Sequence, residues 1–192
     1  MTTLAAFQGN GWAVIGADSR ATDEGGRVFN LATPKIIDNN GYLIATSGAS
    51  RGGNLAQFGW NPPKLPSTQN VTTLDKFVTR KLIPSLRKHF VEQGYDGKDD
   101  GDAAWQDSAF LIAINGVIYP IFQDYSWDRD VRNVYYGGSG GDTALGAMIA
   151  LGIEKCIDDA DKAESIIRKA IEVSTKWDAF SSAPIFVTTQ FA

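Results

Sequence analysis

Apolar residues open the chain in short, dense runs. Thr3–Phe7 and Trp12–Ala17 are almost wholly apolar and flank Gly9-Asn10-Gly11, a spacing that predicts a β-hairpin. A second pair, Lys35–Asp38 and Tyr42–Thr46, is broken at Asn39-Asn40-Gly41. Ser47-Gly48-Ala49-Ser50 then starts a predicted helix to about Gly59, stopped before Pro62-Pro63. The period next changes to helical. Leu74, Phe77, Val78, Leu82, Leu86 and Phe90 form one stripe of a helix over Thr72–Gln93, which Pro84 should kink.

The strand pattern returns at Ser108–Asn115 and Val117–Phe122, joined at Asn115-Gly116, with a third strand near Val131–Tyr136. Gly137-Gly138-Ser139-Gly140-Gly141 leads into a predicted helix over Asp142–Ile157. Another, over Asp161–Trp177, opens with Asp161 and Glu164 in capping-box spacing. The last strand is Pro184–Thr189. Strands and helices in separate blocks predict an α+β fold, with two stacked antiparallel sheets between two helical layers.

The length of 192 residues and 43% apolar content suit one domain, residues 1–192, with a sizeable core. A net charge of −4 and a pI near 5.0 argue against a nucleic-acid partner or a membrane surface. The densest basic group, Arg80-Lys81 with Arg87-Lys88-His89, falls on the predicted long helix and reads as a solvated face. The single cysteine, Cys156, excludes an internal disulfide framework and reads as a buried structural thiol. No apolar run approaches the ~20 residues that span a bilayer. With no secretion signal at the start, the expected location is cytoplasmic. Nothing calls for a metal or cofactor.

Thr2 changes the picture. A threonine with a free amine holds a nucleophile and a base in one residue, provided the amine is neutral. Its reference pKa is about 7.7–8.0, and a nearby fixed cation lowers it. That chemistry calls for a lysine beside the terminus and a carboxylate to keep the lysine charged. Asp18, after the second strand, and Lys35, opening the third, are the candidates.

Thr2-Thr3-Leu4, Gly16-Ala17-Asp18-Ser19-Arg20-Ala21-Thr22, Lys35-Ile36 and Thr46-Ser47-Gly48 together resemble the first third of a proteasome β-subunit. Gly138-Ser139-Gly140-Gly141 is similar to the HslV-type peptidases. Asp178-Ala179-Phe180-Ser181 resembles the proteasomal Asp-Ala-x-Ser segment. Lys35 lies one residue later than in the family pattern, and Phe180-Ser181-Ser182-Ala183 replaces the usual Ser-Gly-Gly. The resemblance implies the four-layer αββα sandwich of the N-terminal-nucleophile hydrolases. It implies Thr2 as nucleophile after loss of Met1, Lys35 and Asp18 tuning its amine, and Ser139, Asp178 and Ser181 clustered around that amine. Gly48 would supply the oxyanion N–H, Ser19 and Arg20 would support, and Ala21, Thr46, Ser47 and Ser50 would border a pocket for neutral side chains. The implied activity is a threonine endopeptidase cutting unfolded polypeptides inside single or stacked rings of six or seven copies, fed by an ATP-dependent unfoldase.

Two other functions stay open: a silent ring or scaffold subunit that keeps Met1, and a small-molecule amidohydrolase of the same wider group. Three motifs are set aside. The glycine run lacks the Gly-Lys-Ser/Thr ending of a P-loop. Asp96, Asp100, Gly101 and Asp107 partly match an EF-hand loop, but Lys98 takes a ligand place. His89, the one histidine for a Ser-His-Asp triad, lies mid-helix.

Overall fold

The computed structural model describes residues 2–23, 25–98 and 104–192; Met1 and two EF-hand candidates, Asp100 and Gly101, lie outside these. The opening runs form β1 (Leu4–Gly9) and β2 (Trp12–Ala17), paired antiparallel from Leu4↔Ala17 to Gly9↔Trp12. A short hairpin follows, β3 (Arg20–Thr22) with β4 (Val28–Asn30), which the apolar pattern does not announce. Then come β5 (Ile36–Asn39), β6 (Tyr42–Gly48) and α1 (Ser50–Asn54), which runs on as a π turn over Leu55–Gly59.

The long helix is α2 (Val71–Phe77), a second π turn (Val78–Leu82) and α3 (Ile83–Glu92). Pro84 has no N–H, and its ring crowds the carbonyl four residues back. The wider turn just before it, where Ile83 N–H donates to Val78 O, absorbs that conflict. Next are β7 (Gly97–Lys98), β8 (Ala104–Trp105), β9 (Ser108–Ile114), β10 (Val117–Ile121) and β11 (Val134–Gly137). The chain ends with α4 (Gly141–Ala150), α5 (Ala160–Trp177) and β12 (Phe186–Phe191).

Several boundaries differ from the sequence pattern, each for a local reason. α4 stops at Ala150 rather than Ile157, because Gly152 takes a left-handed φ of +79° and a 3-10 turn, Ile153–Lys155, follows. α5 is capped by Asp159, whose carboxylate accepts the Lys162 N–H at 3.0 Å, not by Asp161. Glu164, the other half of the expected box, pairs with Arg168 at 3.5 Å. β11 begins at Val134 and not Val131, since Asp130 holds a turn by accepting the N–H groups of Arg132 and Asn133. β12 starts beyond Pro184, which has no N–H for the ladder with β2.

Among the described residues the strands form two four-stranded antiparallel sheets, β11-β1-β2-β12 and β10-β9-β6-β5, and two short two-stranded ones, β3-β4 and β7-β8. β2 is buried along its whole length and β1 nearly so, which is why their apolar runs are hardly interrupted. What alternates is the partner. Ala5, Phe7, Trp12 and Val14 cluster with Met148, Ile167 and Ile171 of the last helices. Leu4, Ala6, Ala13 and Ile15 cluster with Leu43, Ala45, Leu111 and Ala113 of the other sheet. Tyr42, Ile44, Phe110 and Tyr119 meet the stripe Leu74, Val78, Leu82, Leu86 and Phe90. Truncating such a buried leucine to alanine costs about 2–5 kcal/mol. Cys156 is buried near Met148 and Ala163. Among the described residues, no helix is long and apolar enough to cross a membrane.

Candidate active site

Strand register brings the candidate residues to one end of both sheets. The Leu4↔Ala17 pair sets Thr3 opposite Asp18, just past the end of the β1–β2 ladder. Thr3 N–H donates to Asp18 Oδ1 at 2.9 Å, and Asp18 N–H returns to Thr3 O at 3.2 Å. Lys35 immediately precedes β5, and Gly48 is the last residue of β6. The Leu4↔Gly137 pair carries the chain past Thr2 into the glycine turn, and Asp178 follows α5.

Lys35 Nζ donates to Asp18 Oδ1 at 2.7 Å and to Thr2 Oγ1 at 3.0 Å. The Lys35 side chain is 6% exposed and that of Asp18 is 0%. A buried carboxylate is tolerated when its lone pairs are occupied. Here Asp18 Oδ2 also accepts the N–H groups of Arg20 and Ser182, at 2.8 and 3.0 Å. Burial pushes the Lys35 ammonium below its ordinary 10.5, and the attraction of Asp18, with a smaller one from Asp178, only partly restores it.

A second cluster surrounds Asp178. Ser139 Oγ and Ser181 Oγ both donate to its Oδ2, at 2.9 and 2.5 Å. Ser139 Oγ also lies 3.5 Å from Thr2 O, and Gly140 N–H donates to that carbonyl at 3.3 Å. The glycines are a matter of space. A Cβ on Gly138 would stand 2.0 Å from Thr2 O, and one on Gly140 1.9 Å from Thr3 Oγ1.

Thr2, Lys35 and Gly48 line a cavity of ≈ 390 Å³ together with Ala21, Thr46, Ser47 and Ser50. Arg20 lines it too, and its guanidinium donates to Ala179 O at 2.6 Å. Ser19 is buried, its hydroxyl donating to Pro184 O at 2.5 Å. No residue of α3, and so not His89, lines this cavity. Asp96 of the EF-hand match instead accepts from Arg87 and Tyr125.

Some members of the site escape a sequence reading. Thr22 and Phe29 line the cavity because the β3–β4 hairpin folds over it, and Gln57 and Phe58 because of the π turn after α1. Thr3 Oγ1 lies 2.7 Å from Ser181 Oγ and 2.8 Å from Ser174 Oγ. One signal was available for Ser174: it is a lone polar position on the stripe Ile166, Ile167, Ala170 and Ile171.

Solved structures of BPH and of HslV share this fold over nearly the whole chain. The solved structure of Thiobacillus denitrificans BPH in complex with epoxomicin superposes with a TM-score of 0.75 at 20% identity, covering 99% of this chain and 98% of that one. A second structure of the same BPH gives 0.75 at 21% identity over the same shares. Eukaryotic HslV from Trypanosoma brucei gives 0.65 at 20% identity, covering 100% of both chains. No protein-family model matches the sequence, and no curated protein matches it. At these identities the likeness is one of fold.

Proposed function

We propose that the chain is a threonine-type endopeptidase subunit that hydrolyses unfolded polypeptides by way of Thr2. The observation that carries this reading is Lys35 Nζ, 3.0 Å from Thr2 Oγ1 and 2.7 Å from Asp18 Oδ1 beside a cavity that Thr2 lines. Cleavage of the Met1–Thr2 bond frees the amine. The Lys35 cation disfavours its ammonium form, so the amine takes the proton of its own hydroxyl as the oxygen attacks the substrate carbonyl. Gly48 N–H meets the developing oxyanion, a donor worth about 3 kcal/mol. The ammonium then protonates the leaving amine, and water hydrolyses the ester.

Asp18 keeps Lys35 charged, while Ser139, Asp178 and Ser181 hold the amine and its proton. Arg20 and Ser19 hold the Ala179–Pro184 segment around them. Apart from Lys35 and Arg20, the described lining of the cavity is uncharged, with Ala21, Thr46 and Ser50 in its wall, which favours neutral side chains. The apolar clusters between the sheets and on their outer faces support a four-layer αββα unit over residues 1–192. A closed ring of six or seven copies in the cytoplasm, served by an ATP-dependent unfoldase, follows the family pattern and would keep an unselective peptidase from folded proteins.

Epoxomicin, bound by the Thiobacillus protein, tests the reading. After incubation, peptide mass spectrometry should find the adduct on Thr2, and Thr2→Ala should carry none. An unlabelled Thr2, or an adduct elsewhere, overturns it.

A further inference from the structure

Five polar atoms stand in sequence from Asp178 Oδ2 through Ser181 Oγ, Thr3 Oγ1 and Ser174 Oγ to Gly140 O, separated by 2.5, 2.7, 2.8 and 2.9 Å. Each of the four gaps has hydrogen-bond length and needs one hydrogen. With Asp178 ionised, both ends can only accept, and the three hydroxyls bring one hydrogen each. One gap is then always without a hydrogen. Thr3 and Ser174 are 0% exposed and Ser181 1%, so bulk water does not supply it. A proton on Asp178 completes the count.

We propose that Thr3 and Ser174 are positioning residues that extend Asp178 into a proton-accepting chain, one hydrogen short while Asp178 is ionised and complete once it carries a proton. On uptake no O–H bond breaks in the three hydroxyls. Ser181 turns its hydrogen from Asp178 to Thr3, and Thr3 directs its own to Ser174, whose hydrogen already points to Gly140 O. The use of the chain rests on the peptidase reading. The arriving proton is the one Thr2 loses on attack, taken first by its amine. Ser139 Oγ, 2.9 Å from Asp178 Oδ2, passes its own hydrogen to the carboxylate as it receives that proton. The proton returns by the same route to the leaving nitrogen.

The charged groups facing the chain are Lys35 ahead of β5, Asp18 after β2, Arg20 on β3 through Ala179 O, and the freed Thr2 amine. The exposed Asp142 and Lys176 stand in the first turn of α4 and the last turn of α5. None of these groups is altered by Ser174→Ala or Thr3→Val. Either substitution leaves two gaps matched by two hydrogens and removes the deficit.

Infrared difference titration of the full chain, with Asp178→Asn to assign the carboxyl band, reads the chain directly. In Ser174→Ala and in Thr3→Val the protonated band should appear about one pH unit lower than in the parent. The acid limb of peptide hydrolysis should move with it, whereas a merely structural role would scale the whole profile. The same midpoint in the parent and the variants overturns the proton chain, whether or not peptides are cleaved. If Thr3→Val does not fold, Ser174→Ala carries the same count. Failure of epoxomicin to label the parent at Thr2 would instead sink the peptidase reading, and the infrared comparison would still decide the chain.

Discussion

Asp18 and Asp178 both reach the Thr2–Thr3 segment, one through its backbone and the other through hydroxyls. Asp18 is fully buried, and its partners are the N–H groups of Thr3, Arg20 and Ser182 with the Lys35 ammonium. Asp178 is half-buried, and it accepts from the hydroxyls of Ser139 and Ser181. A backbone donor cannot turn away, whereas a hydroxyl can. The donors around the first carboxylate are therefore fixed, whereas those around the second can rearrange. The kind of donor, more than burial, sets the two apart.

The sharpest test removes Thr2, the proposed nucleophile. Thr2→Ala should lower peptide hydrolysis by roughly 10⁴-fold or more, with the melting temperature of the parent retained. Asp18→Ala strands a buried cation and should cost about 3–5 kcal/mol of stability in urea unfolding. Gly140→Ala drives a methyl against Thr3 and Ser174 and should cost about 1–3 kcal/mol. Asp178→Ala should cost only about 1 kcal/mol while slowing hydrolysis. Equal stability losses at Asp18 and Asp178 would break the contrast between them.

The smallest effect concerns pH. Burial lowers the pKa of Lys35 below 10.5, so the folded chain holds this proton less tightly than the unfolded one. That group subtracts stability below its folded pKa, and the deficit shrinks as pH rises through that value towards 10.5. Activity runs the other way: the proposed mechanism needs the cation, so hydrolysis should fall across the same window. Lys35→Arg keeps a charge that does not titrate there. Its rate should be lower at the optimum, with the alkaline limb moved upward. An unmoved limb would remove Lys35 as its cause.

Much of the fold was legible along the chain. Asn10-Gly11, Asn40-Gly41 and Asn115-Gly116 each sit between dense apolar runs, and each joins an antiparallel pair. The helix stripe Leu74–Phe90 was equally plain. Other features rest on finer balances. Asp159 and Asp161 are both good caps, and only the path of the chain chooses between them. The β3–β4 hairpin, half-buried along β3 and exposed along β4, has a mixed composition with no period to read. In the site, the chemistry of an N-terminal threonine pointed to Asp18 and Lys35, and the motifs to Ser139, Asp178 and Ser181. Thr3 was missed because a buried threonine looks like any other until its partner is known, and Ser174 showed only as a polar break in an apolar stripe.

The amino-acid order determined which segments become strands and helices, where most turns fall, and which residues have the chemistry a hydrolase needs. Those properties are set within a few neighbouring residues. The tertiary structure decided that Lys35 meets Thr2 across 33 positions and that Thr3 meets Ser174 across 171. It also decided that Asp18 has no access to water. Register and burial belong to the packed sheets as a whole. They set the hydrogen count around Asp178 and the weakened hold of Lys35 on its proton.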